Sequence, residues 1–216
     1  MKRKKRILGA LMMIVALIIM QLPVSEADAA SASDFQMEGD ILVRYRGTES
    51  TVSIPDTVQV VGREAFQDND HVEMVVISDS VKRIDPYAFW GCDKLERIVL
   101  GSGLYEIGDF AFTGCYGLKQ MTVTENITAI GIQSFADCYN LTDISIPSET
   151  INIHETAFDC CYKLSIHATP GSIAYIYAQD FYERMEERAE YEDIPGYDGG
   201  LYNHGKYPFI LDIMYP

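Results

Sequence analysis

Residues 84–100, IDPYAFWGCDKLERIVL, and residues 107–123, IGDFAFTGCYGLKQMTV, carry one pattern twice. Outward from them, a small residue followed by Phe recurs at Ala65-Phe66, Ala88-Phe89, Ala111-Phe112, Ser134-Phe135 and Ala157-Phe158, always 23 residues apart. Five residues before each Phe stands an aliphatic: Val61, Ile84, Ile107, Ile130 and Ile153. Three after it come Asn69, Cys92, Cys115, Cys138 and Cys161. Six after it come Val72, Leu95, Leu118, Leu141 and Leu164. Nine and eleven after it come the pairs Val75/Ile77, Ile98/Leu100, Met121/Val123 and Ile144/Ile146, with Val52/Ile54 leading in the same phase. A register held this long is an internal repeat, and it decides the fold before any single residue does.

Within the repeat, Leu-x-x-Ile-x-Leu alternates with period two and reads as a short strand. A second extended piece follows around Val81-x-x-Ile84. Gly62, Gly108 and Gly131 come next, where a bend with positive φ is expected. The segment Ala-Phe-x-x-Cys closes the coil as a tight helical turn. One such coil cannot bury its own apolar face. Stacked coils cover each other and build parallel ladders with rungs about 4.8 Å apart. The expected core rows are Phe66, Phe89, Phe112, Phe135 and Phe158, and Cys92, Cys115, Cys138 and Cys161.

The flanks read differently. MKRKKR is followed by an apolar run from Ile7 to Met20, then Pro23 and the small-residue site Ala27-Asp28-Ala29. That is the layout of a secretory signal, with cleavage expected near Ala29. Its apolar run covers only about 21 Å, too short for a hydrocarbon core of ~30 Å, so no membrane span is expected after cleavage. Residues 30–50 are expected to form a linker and cap, with a hairpin over 40–54 turning at Arg46-Gly47-Thr48; 51–169 form the repeat array. Residues 170–192 form a capping helix, N-capped by Ser172 and carrying the stripe Ile173, Ile176/Tyr177, Phe181 and Met185. Residues 193–216 form a Tyr- and Gly-rich tail, read either as a strand or loop folded back on the helix or as an aromatic docking patch.

The net charge of −15 argues against nucleic acid as a partner, and 48% hydrophobic residues argue against a disordered chain. Removing residues 1–29 takes the charge to −18.

The repeats IDPYAFWGCDKLERIVL, IGDFAFTGCYGLKQMTV and IGIQSFADCYNLTDISIP resemble those of the BspA-type leucine-rich-repeat proteins of bacterial surfaces and secretions. The leading segment ILVRYRGTESTVSIPDTV and the closing segment TPGSIAYIYAQDF fit the way such arrays begin and end. The resemblance implies a leucine-rich-repeat solenoid, of α/β class but mainly short parallel strands, with about five 23-residue coils and a cap at each end. It also implies a secreted or cell-surface protein with a role in adhesion or protein binding.

Chemistry is sparse. Four cysteines spaced 23 apart lie along a line and do not converge on a metal, so no metal and no cofactor are expected. The nucleophile, zinc-protease and phosphate-loop motifs do not occur in the sequence, and no catalytic residue is assigned. Asn126-Ile-Thr128 and Asn140-Leu-Thr142 match a glycosylation acceptor. The candidate binding surface is the concave strand face: Met74, Val76, Arg97, Val99, Gln120, Thr122, Asp143 and Ser145, with Thr51 and Ser53 on the leading coil. The expected partner is a protein or another cell-surface macromolecule. The alternatives are an envelope-associated scaffold without a ligand and a carbohydrate-binding or carbohydrate-active protein; the last requires paired carboxylates about 5–10 Å apart across a cleft.

Overall fold

A computed structural model describes residues 30–192. The repeat becomes two ladders of parallel strands joined by turns. One is a seven-stranded sheet containing β1 (Phe35–Glu38), β2 (Ile41–Tyr45), β4 (Val60–Val61), β6 (Arg83–Ile84), β8 (Glu106–Ile107), β10 (Ala129–Ile130) and β12 (Asn152–Ile153). The other is six-stranded, with β3 (Thr51–Ser53), β5 (Met74–Val76), β7 (Arg97–Val99), β9 (Gln120–Thr122), β11 (Asp143–Ile146) and β13 (Ser165–Ala168). Partners in neighbouring coils are 23 residues apart, as in Val75↔Ile98 and Ile84↔Ile107. At the last coil the offset slips to 22, with Asp143 opposite Ser165.

The inward side chains form continuous rows. Phe66, Phe89, Phe112, Phe135 and Phe158 are all at most 1% exposed. Their rings stack at 4.7, 5.0, 5.1 and 5.2 Å between centroids, one rung apart. Tyr45 extends the stack toward the N-terminus at 4.9 Å, and Tyr177 closes it edge-on at 6.0 Å. The core is therefore a column running the length of the array.

Two expectations change. The hairpin cap exists, but its strands are β1 and β2, antiparallel around Gly39 at φ 65°. Residues 46–50 do not make the hairpin turn; they cross from the seven-stranded sheet to β3 in the other. The second change concerns glycine. Gly62, Gly108 and Gly131 are not left-handed. They are small because a Cβ at Gly62 would stand 2.7 Å from the Leu42 carbonyl, at Gly108 2.8 Å from that of Ile84, and at Gly131 2.8 Å from the Asp109 amide. The left-handed positions are elsewhere, in two rows at the same period: Glu64, Tyr87, Phe110 and Gln133, and Asp68, Gly91, Gly114, Asp137 and Cys160. Only the second row uses glycine, at two of its five rungs.

Helix α1 (Ile173–Glu192) closes the array. Ser172 caps it, its Oγ accepting the Tyr175 amide at 3.1 Å. The cap also satisfies backbone groups that a further coil would have paired. The Tyr182 hydroxyl accepts from the Ile166 amide at 2.7 Å, and Arg184 Nη2 donates to the Glu155 carbonyl at 2.7 Å. Of the expected stripe, Tyr177, Phe181 and Met185 are buried, joined by Ala174 and Ala178. Ile173 and Ile176 instead face outward. The signal segment 1–29 and the tail 193–216 lie outside the described residues.

Candidate interaction surface

The outer face of the six-stranded sheet is built by alternation. Val52, Val75, Ile98, Met121, Ile144 and Ile166 point inward and are buried, so their neighbours on both sides must point out. The structure brings all eight expected residues onto this face, in two rows set by register. One row runs Thr51, Met74, Arg97, Gln120, Asp143 and Ser165; the other runs Ser53, Val76, Val99, Thr122, Ser145 and His167.

The face is not uniform. Met74, Val76 and Val99 are half-buried and adjacent, with exposed Arg97 at their edge. Gln120, Thr122 and Ser145 are exposed and polar. At the border of the sheet Lys119 Nζ meets Glu96 Oε2 at 2.7 Å. That pair is more than half exposed and contributes little to stability. At the far end Asp143 accepts from the Thr142 hydroxyl at 2.7 Å and faces His167 Nε2 at 3.4 Å. The Thr142 hydrogen bond is the main reason its carboxyl is held below the usual carboxylate range, with His167 adding to it. His167 escaped the sequence reading because it enters the row only through the 22-residue slip. Its signal was the alternation Ser165-Ile166-His167, which puts His167 on the side opposite buried Ile166.

The cysteines do a different job. Each buried thiol donates to the carbonyl of the Phe one coil earlier: Cys92 to Phe66 at 3.1 Å, Cys115 to Phe89 at 3.2 Å, Cys138 to Phe112 at 3.3 Å and Cys161 to Phe135 at 3.0 Å. Asn69, which has no Phe rung before it in the repeat, uses its Oδ1 to accept the His71 and Val72 amides instead. Burial pushes the Cys92 thiol up to about 12 and raises those of Cys115, Cys138 and Cys161 as well. All five cysteines are free thiols. Cys160 stands outside the thiol row, half-buried, in the left-handed row of Gly91 and Gly114.

The remaining candidates are scattered or already occupied. His71 pairs with Asp70 at 3.2 Å, while His154 Nδ1 lies 3.0 Å from Thr156 Oγ1 near the other end of the array. Among the described residues, no group of three or more His, Cys, Asp or Glu could hold a metal ion. Asn126 and Asn140 donate their amides to the carbonyls of Ser102 and Tyr116 in the preceding coil. A cleft of about 230 Å³ lies at the N-terminal shoulder, lined by Arg44, Tyr45, Asp68, Asn69 and His71 among others. It falls below the ~300–1,000 Å³ of a small-molecule site. Among the described residues no helix is long and apolar enough to cross a membrane.

Comparison with known proteins places this geometry. The solved structures it resembles include the Treponema pallidum leucine-rich-repeat protein TpLRR, at 31% identity and TM-score 0.61, covering 64% of this chain and 70% of that one. A leucine-rich cell surface protein of Faecalibacterium prausnitzii is similar at 30% identity and TM-score 0.59, covering 64% of this chain but only 37% of its own. A leucine-rich-repeat protein of Eubacterium ventriosum shares the fold at 24% identity and TM-score 0.56, with 60% and 36% covered. No curated protein matches. The model of the BspA-type leucine-rich-repeat region matches six copies across residues 59–186, one repeat more than the Phe row alone counts. With the repeat, both ladders and the family pattern in agreement over more than half its length, the chain belongs to the BspA-type leucine-rich-repeat family.

Proposed function

We propose that this protein is exported, held at or released from the cell surface, and binds a protein partner across the outer face of its six-stranded sheet. The observation that carries the reading is the half-buried corner Met74, Val76 and Val99 beside exposed Arg97 and Gln120. An apolar centre edged by Arg and polar residues is the composition of an interaction core and its rim. Repeat solenoids present extended faces of this kind to their partners. The signal-like layout of residues 1–29 and the similarity to a cell surface protein support export.

The test is a quantitative pull-down from extracellular-matrix and bacterial-envelope extracts, comparing the mature chain with an Arg97→Glu/Gln120→Ala variant of unchanged melting temperature. A partner recovered by the parent and reduced by about tenfold or more in the variant supports the reading. Equal recovery by the two proteins overturns it.

A further inference from the structure

Ile151, Ile173 and Ile176 are exposed at 68%, 47% and 49%, unusual for side chains of this size. They fall on one corner of the solenoid. The Ile151 amide donates to the Thr128 carbonyl and the Thr128 amide to that of Tyr105, which makes Tyr105, Thr128 and Ile151 one row. Tyr105 is itself 43% exposed. The turns after Ile146 and Ala168 close by the same hydrogen bond, the Thr150 amide to the Pro147 carbonyl and the Ser172 amide to that of Thr169, so Ile151 and Ile173 follow equivalent turns of the last two coils. Ile176 lies three residues further along α1, on the same helix face. The exposed isoleucines make an apolar strip on the solvent side of the cap.

We propose that Tyr207–Tyr215 of the same chain docks on this strip in extended form. Tyr207, Phe209, Leu211, Ile213 and Tyr215 alternate and would share one face of a strand. Shortly after α1 the sequence reads Ile194-Pro195-Gly196-Tyr197-Asp198-Gly199-Gly200, a composition of helix-stop and turn residues. From Ile176 to Glu192 the helix rises about 24 Å. The residues between Glu192 and Tyr207 span up to about 46 Å when extended, enough to return along the whole helix. A tether of this length holds the segment at a local concentration on the order of millimolar, which favours it over a second copy.

The full-length chain carrying a benzophenone photo-cross-linker at position 176 tests this, irradiated as an equal mixture of ¹⁴N- and ¹⁵N-labelled protein. Cross-links to 207–215 within one isotope are expected. Cross-links between isotopes, or to any other segment, overturn the proposal. A melting cycle gives an independent check. Ile173→Asp/Ile176→Asp and Phe209→Asp/Leu211→Asp/Ile213→Asp should each lower Tm by about 5 °C, and the combined variant by little more than either. Additive shifts, or none, overturn it.

Discussion

The rows that point into this solenoid hardly change from coil to coil, whereas the rows on the outer face of the six-stranded sheet change at every rung. Inside, Phe follows Phe for five rungs and Cys follows Cys for four. Outside, Met74, Arg97, Gln120 and Asp143 follow one another in a single row. A stacked interior can use one solution because each rung sees the same neighbours above and below. An outer row has no such constraint, so its variation is free to serve recognition. The contrast teaches which positions hold the fold and which are available for function.

The contrast is broken most severely from inside. Phe112→Ala removes the middle of the ring stack and should cost about 3–5 kcal/mol in chemical denaturation. If it costs no more than an outer substitution, the column is not what holds the array together. A smaller effect comes from the thiol row, and it has a definite sign. Cys92 has its pKa raised from 9.0 to about 12, so the folded state disfavours the thiolate. Stability from this group is fully present below pH 9.0 and falls as pH rises toward about 12. Urea melts across that range should show the decline, and a Cys92→Ala variant should show a shallower one.

Two further substitutions sharpen the comparison by improving the interior. Ser134 stands where every other coil has Ala; its hydroxyl is buried without a hydrogen-bond partner. Ser134→Ala should stabilise the protein by about 1 kcal/mol, measured by the urea midpoint. Cys160 occupies a left-handed position at φ 63° where Gly91 and Gly114 serve in earlier coils. Cys160→Gly should stabilise by about 0.5 kcal/mol, the relief of strain being partly offset by the greater freedom of glycine in the unfolded chain. At the small end, Thr122→Ala on the outer face should stay within about 0.5 kcal/mol of the parent.

How much of this was legible follows the same division. The ring row and the thiol row repeat in sequence, so the period alone placed Phe66 through Phe158 and Cys92 through Cys161 in the core. The conformation of glycine was not legible, because absence of a side chain serves either a left-handed backbone or a close approach. Only the Leu42 and Ile84 carbonyls show that Gly62 and Gly108 answer to the second. The hairpin strand Phe35–Glu38 lies before the first repeat, where no period could point to it. His167 was hidden by a one-residue slip, although the alternation beside Ile166 held the clue. Ile173 and Ile176 share a helical stripe with Tyr177, and spacing alone does not say how wide a face the last coil can cover.

The most direct test of the account sets the outer faces of the two sheets against each other. A photo-cross-linker at Val99 on the six-stranded sheet is compared with one at Ala129, half-buried on the seven-stranded sheet, each in the presence of a recovered partner. A partner adduct is expected from position 99 and none from position 129. An adduct from position 129 with none from position 99 would contradict it.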